Sequence, residues 1–251
     1  MLRGLDAHRQ ALADFQIKRA RIDRAADDDV ILRINRPSNP DQAAWDAALA
    51  LAKHTTASGH LLGFHATRLM DHEVEEIRRC GLELLSVDLL QRRLVAAQSL
   101  GALRAEQTAR LLARHQAADD NRSRMTAFAF TREQLKSQSD FERLFRSWGG
   151  EAHYNSHEDD EETGPLLRSL GTPCIVVAAL RVADVETHME VGHRLVNIWC
   201  AGRDIVPEHE PLFGGKVRVH MPGESILKII RLDDPEFVAL TKHDKWRRPL
   251  S

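Results

Sequence analysis

Apolar positions along the chain change their spacing about two-thirds of the way through. Over residues 4–25, Leu5, Leu12, Phe15 and Ile22 fall near one face with Arg and Asp opposite, which predicts a helix. Asp27, Asp28 and Asp29 break that pattern, Val30 to Leu32 is a short apolar piece, and RINRPSNP (33–40) reads as a loop. Asn39 is a candidate cap with Pro40 at the first helical position and Gln42 three residues on, opening a helix over about 41–53 that offers Trp45, Ala48, Leu49 and Ala52 to a core. Leu61 to His65 is an apolar run and predicts a strand. Asp71 is then expected to cap a helix, with Glu73, Glu75 and Glu76 at its positive end, Arg78 and Arg79 at its negative end, and Gly81 as the stop.

Residues 87–117 are rich in Ala, Leu and Arg, and Leu90, Leu94, Ala97 and Gly101 share a face, so a helix pair turning near Gly101 is expected. MTAFAF (125–130) alternates like a strand, and Ser139 to Glu142 reads as a capping box before a helix ending at Trp148-Gly149-Gly150. HEDDEE (157–162) reads as a solvated acidic loop. From residue 164 onward the pattern turns to strands, expected at 173–182, 194–201, 216–221 and within 223–232. Helices first and strands later, with few alternating strand–helix–strand units, predict an α+β fold.

Composition changes this picture little. Hydrophobic residues make up 43% and charged residues 29% of the 251, and the net charge is −2, so no basic excess points to nucleic acid. No apolar run reaches the roughly 18 residues of a membrane helix, and MLRGLDAHRQ lacks a signal-peptide core, so a cytoplasmic protein is expected. Cys80, Cys174 and Cys200 are far apart and odd in number, as expected for reduced, mostly buried thiols. His153 with His157, and His188 with His193, have spacings a metal could use, but no converging ligand set accompanies them and no metal is expected. Arg92, Arg93, Arg104, Arg110 and Arg114 within 87–117 form either a basic surface or an ordinary exposed helix face.

Three stretches carry candidate chemistry. In the first, Phe64-His65-Ala66-Thr67 aims an imidazole from a strand, where a structural hydrogen bond is the plainer role. In the second, Trp148-Gly149-Gly150 precedes Tyr154, the one tyrosine of the chain; a helix end explains the glycines but not the tyrosine. In the third, Pro222-Gly223-Glu224-Ser225 sets a carboxylate at the mouth of an apolar strand, where it is either exposed or employed. His54-Thr55-Thr56 is the other His-x-Thr match, but it falls at a helix end and makes a two-histidine phosphoesterase a poor fit.

Taken in order, these stretches resemble the motifs of the ADP-ribosyltransferases of the poly(ADP-ribose) polymerase and diphtheria-toxin type. LLGFHATRL followed by IRRCGLELLS is similar to their first motif, with Ala66 where glycine is usual; WGGEAHYN is similar to the second; PGESILKIIRL is similar to the third. The resemblance implies a split antiparallel sheet core over 58–251, preceded by a helical segment at 1–57 and interrupted by a helical insertion at about 87–147. It implies NAD as substrate and transfer of ADP-ribose to a macromolecule, protein or nucleic acid, without a metal. A toxin or phage-defence role would follow by analogy, with an antitoxin protein as partner. A dead interaction module and an NAD glycohydrolase are the alternatives. The implied catalytic residues are Glu224, His65 and Tyr154. Glu224 would stabilise the oxocarbenium-like sugar and His65 would hold ribose hydroxyls, with Thr67 on the adenosine side. Tyr154 would stack on the nicotinamide, the backbone at Ala66 would hold the carboxamide, and Gly149 and Gly150 would shape the turn behind the ring.

Overall fold

The computed structural model describes residues 42–187, 191–201 and 214–250. The helix expected at 4–25, the piece at 30–32, the loop at 33–40 and the Asn39 cap lie outside them. The chain divides into two compact units, residues 1–60 with 187–213 and residues 61–186 with 214–251.

In the first unit, helix α1 (Gln42–Thr56) packs against a helix at Val191–Ala201. The second of these corrects the strand expected at 194–201. An apolar run of that length is ambiguous between a buried strand and a buried helix, and close packing on α1 decides it here. Ala48 and Ala52 are buried, and a side chain on Gly192 would lie only 3.3 Å from the Lys53 nitrogen. Small residues thus let the two helices approach closely.

The second unit is built on a mixed helix and antiparallel-sheet plan, α+β as expected. Among the described residues its open sheet has six strands: β1 (His60–Leu69), β2 (Thr126–Ala129), β3 (Thr172–Arg181), β4 (Val185–Thr187), β5 (Gly214–Val217) and β6 (Ile226–Arg231). Their order across the sheet is β4-β5-β2-β1-β3-β6. The stretch between the first two motifs is therefore not wholly helical, because β2 sits near the middle of the sheet. β2 runs antiparallel to β5 from Thr126 opposite Val217 to Ala129 opposite Gly214, and β3 runs antiparallel to β6 with a bulge between Val177 and Ala178. At one end of β1 Gly63 abuts Leu180, and at the other Leu69 abuts Gly171, so β1 and β3 run in opposite directions.

Alternation along the strands separates two cores. Phe64, Ala66, Ile175, Val177 and Ile230 pack with α5 (Gln138–Arg146) and a helix at Pro235–Thr241 through Phe141, Phe145 and Phe237. Leu69, Val176, Ala178, Leu180 and Ile229 face the opposite way onto Val74 and Ile77 of α2 (Asp71–Cys80). The expected helix pair forms as α3 (Val87–Ser99) and α4 (Ala105–Ala113), and Leu90, Leu94, Leu111, Trp148 and Leu167 make a third core.

Local details correct some expected boundaries. α2 begins at Asp71 with Met70 in the cap position, and Glu73 reaches back to accept from the Met70 N–H at 2.7 Å. α5 begins before Ser139, and Glu142 serves not as a cap partner but as an acceptor for Gln138 and Arg146. β5 stops at Val217, and Met221 forms an isolated bridge with Leu82. Cys174 is buried but Cys80 is exposed.

Gly81 permits that bridge. Its φ is +94°, and a side chain there would fall 1.8 Å from the Met221 carbonyl oxygen. Gly81→Ala combines a disfavoured backbone conformation with a backbone clash, and is expected to cost about 2 kcal/mol or more. A thermal melt should show the midpoint lowered by roughly 4–8 °C.

Candidate functional site

β1 alternates, so His65 and Thr67 lie on the face opposite to Phe64 and Ala66. The Ala66 side chain is buried in the sheet core, which leaves only its backbone for a ligand. β1 and β2 pair at Phe64 opposite Ala129. Beside that pair the His65 ring bridges the two strands, with Nδ1 2.9 Å from the Ala127 carbonyl oxygen. A carbonyl only accepts, so Nδ1 carries the hydrogen, and the neutral ring keeps its lone pair on Nε2. Burial lowers the His65 pKa, the Ala127 bond opposes it, and the Arg93 cation adds to the lowering. His65 is thus a half-buried neutral imidazole of fixed tautomer.

Glu224 lies in a single 3-10 turn, Gly223–Ser225, ahead of β6. It is exposed, and its carboxylate makes no hydrogen bond or ion pair among the described residues. Gly223 packs on the carbonyls of Arg78 and Arg79 at the end of α2, which anchors the turn. Ile226 pairs with Ala178 of β3, and β3 neighbours β1. Two strand spacings, about 10 Å, therefore separate the row of His65 from the start of β6.

The second motif is built differently from expectation. Trp148 is fully buried, and its Nε1 donates to Glu73 at 2.9 Å. Gly149 has φ +85°, and a side chain there would meet the His153 ring at 2.5 Å. Gly149 thus seats His153, which stacks near the indole with centroids 6.4 Å apart and planes at 19°. Tyr154 opens a short helical turn, Tyr154–His157. Its ring is covered by the Arg143 guanidinium at 3.9 Å, and its hydroxyl donates to Glu151 at 3.4 Å. One face of the ring is therefore already taken by a cation, and no described contact joins Tyr154 or Glu224 to His65.

Two further residues, Glu73 and Arg93, tie Met70 and Trp148 together. Glu73, 4% exposed, accepts from the Met70 N–H, from Trp148, and from Arg93 Nε at 2.5 Å. Burial works against its charge, but the Arg93 cation and these hydrogen bonds prevail and hold its carboxyl below the usual range. Arg93 lies 4.6 Å over the Trp148 ring. In the sequence Glu73 was legible only as an acid near a helix start and Arg93 only as one of several arginines in 87–117; neither pattern shows their pairing.

The other arginines along α3 and α4 and at the start of α4 are paired. Arg92 meets Glu83, Arg104 meets Glu162, and Arg110 meets Asp160 and Glu162. The acidic loop is accordingly not merely solvated. Asp160 also accepts from the backbone N–H of Thr163, at the start of the helix Thr163–Ser169. Among the described residues no group of three His, Cys, Asp or Glu side chains is placed to hold a metal ion, and no helix is long and apolar enough to cross a membrane.

His153 is fully buried, and neither ring nitrogen has a hydrogen-bond partner among the described residues. The nearby Arg114 carbonyl is taken by His157 Nε2 at 2.6 Å. Burial, then the neighbouring His157 and Arg93, push the His153 pKa down to about 3. The native state therefore resists a proton that the unfolded chain accepts near pH 6.5, so stability is lost as pH falls from about 6.5 towards 3. The expected slope from this group is about 1.4 kcal/mol per pH unit, and denaturant titrations of His153→Phe between pH 6.5 and 5 should lose that much of it. His65 and His157 have lowered pKa values too and retain their share.

Comparison with family models, curated proteins and solved structures finds no match for this chain.

Proposed function

We propose that the chain is an NAD-dependent ADP-ribosyltransferase, with an ADP-ribosyltransferase-like split sheet and a macromolecular acceptor. The observation that carries this reading is the His65 tautomer. A neutral ring whose Nδ1–H is committed to Ala127 offers Nε2 as an acceptor for a ribose hydroxyl. Thr67 on the same strand face and the unpaired Glu224 ahead of β6 support it.

In the proposed reaction the bond between the ribose carbon and the nicotinamide nitrogen breaks, and its electron pair leaves with nicotinamide. Positive charge develops on the sugar, where the Glu224 carboxylate stabilises it. An acceptor nucleophile closes the new bond, and its proton passes to a base or to water. NAD enters as a substrate, and the toxin or defence role and an antitoxin partner remain part of this proposal by analogy.

A dead interaction module gains support from one observation, the Arg143 cation over Tyr154 at 3.9 Å, where a cationic nicotinamide would be repelled. NAD labelled in its adenylate phosphate separates the readings. Label bound to lysate protein or nucleic acid is the expected result, free labelled ADP-ribose alone would mean a glycohydrolase, and intact NAD would mean the interaction module.

A further inference from the structure

We infer that residues 242–250 form a surface that grips the phosphate backbone of a double-stranded nucleic acid. Lys242, Lys245, Arg247 and Arg248 are exposed there, against one acid, Asp244. None of the four side chains makes a hydrogen bond or an ion pair among the described residues. The nearby Glu142 is already committed to Arg146 at 2.7 Å. Elsewhere in the sheet unit most exposed cations face a carboxylate, as Arg181 faces Asp184, Arg218 faces Glu186 and Lys228 faces Glu236. Four unneutralised cations close together in the chain make a local positive field that the net charge of −2 conceals.

The segment is pinned from beneath. Trp246 is buried with its ring 6.3 Å from that of Phe145, and Leu250 is buried in the same core. The Arg247 N–H donates to Gln138 at 3.0 Å, the Arg248 carbonyl accepts from Arg146, and the Leu250 N–H donates to His243 Nδ1 at 3.4 Å. The backbone is thus fixed while the charged side chains stand in water, which lowers the ordering cost of binding. The same burial selects the partner. Protein interfaces centre on apolar and aromatic groups, and segments that lie on membranes insert them. Single strands stack their bases on exposed aromatic rings. Here Trp246 and Leu250 are turned inward, and apart from Pro249 the exposed residues of the segment are charged. Charge alone fits a line of phosphates gripped without regard to base sequence. The two guanidinium forks suit phosphate oxygens.

The test is fluorescence anisotropy of labelled duplex DNA, duplex RNA and a single strand of the same sequence, each titrated with the full chain. Wild type is compared with a variant carrying Lys242→Gln, Lys245→Gln, Arg247→Gln and Arg248→Gln together. Four phosphate contacts imply a wild-type affinity for duplex that falls roughly 100-fold between about 50 and about 200 mM salt. At the lower salt the variant should bind at least about tenfold more weakly, with most of the salt dependence gone. Its melting temperature should match wild type, because the substituted side chains hold nothing in the fold. Should it melt early, the Arg247→Gln and Arg248→Gln pair decides, with the log–log salt slope expected to fall by about 2. Binding of either duplex that depends on these cations supports the surface, and a preference between the two identifies the source. Failure to bind either duplex, equal binding by both chains, or tighter cation-dependent binding of the single strand would overturn it. Capture of poly-glutamate in place of the duplexes would also overturn it and would mean an acidic protein partner. No NAD is present, so each of these outcomes leaves the transferase reading standing.

Discussion

Glu224→Gln should reduce nicotinamide release from NAD by at least about 100-fold while leaving the melting temperature within about 1 °C of wild type. Removing one electrostatic contact to the developing charge of a transition state typically costs two to three orders of magnitude in rate. The carboxylate is exposed and makes no hydrogen bond or ion pair among the described residues, so the fold loses nothing when it becomes an amide. The substitution thus separates chemistry from stability. NAD affinity should change little, because glutamine keeps the shape and an acceptor oxygen. A loss of rate accompanied by unfolding would contradict the placement of Glu224 at the surface.

Glu73→Ala should strongly destabilise the sheet unit. It orphans the Trp148 indole N–H, removes the bond to Met70, and leaves the Arg93 cation enclosed without its partner. Breaking a buried ion pair from one side costs about 3–5 kcal/mol, a large part of the 5–15 kcal/mol that usually separates folded from unfolded chains. Thermal unfolding followed by circular dichroism should show a midpoint lower by roughly 6–20 °C. Glu73→Gln keeps one acceptor oxygen but loses the charge and turns an NH2 group towards N–H donors, and should fall between Ala and wild type. Because the Glu73 carboxyl titrates below its usual range, its contribution is present above about pH 4.5 and is lost as pH falls through the lowered value.

The chain's local grammar was largely legible where a residue's role is set by its neighbours in sequence. The strand at Leu61 to His65 appears within β1, Gly81 ends α2, Gly101 separates α3 from α4, and the alternation of MTAFAF becomes β2. The helix at Val191–Ala201 was not legible, because a run of eight apolar-rich residues satisfies either conformation and α1 decides between them. Strand order was equally invisible, since nothing in 126–129 announces pairing with both β5 and β1.

The candidate site divides the same way. His65 was singled out by the apolar run that ends in it, Thr67 by the resemblance, and Glu224 by its place at the mouth of a late apolar strand. The glycines at 149 and 150 were read as a turn behind a ligand, whereas the packing of His153 against Gly149 accounts for the first of them. Tyr154 was read as an open stacking platform, but a cation eleven residues earlier in the chain, Arg143, covers one face. The Glu73–Arg93–Trp148 linkage spans three elements and is created by tertiary packing alone.

One measurement bears most directly on the central claim: the time course of nicotinamide release from NAD by the purified wild-type chain, run beside Glu224→Gln at equal concentration. The account predicts release by the wild type, with lysate added as a source of acceptor, and its loss in the variant. No release by the wild type under those conditions, or equal release by both chains, would contradict it.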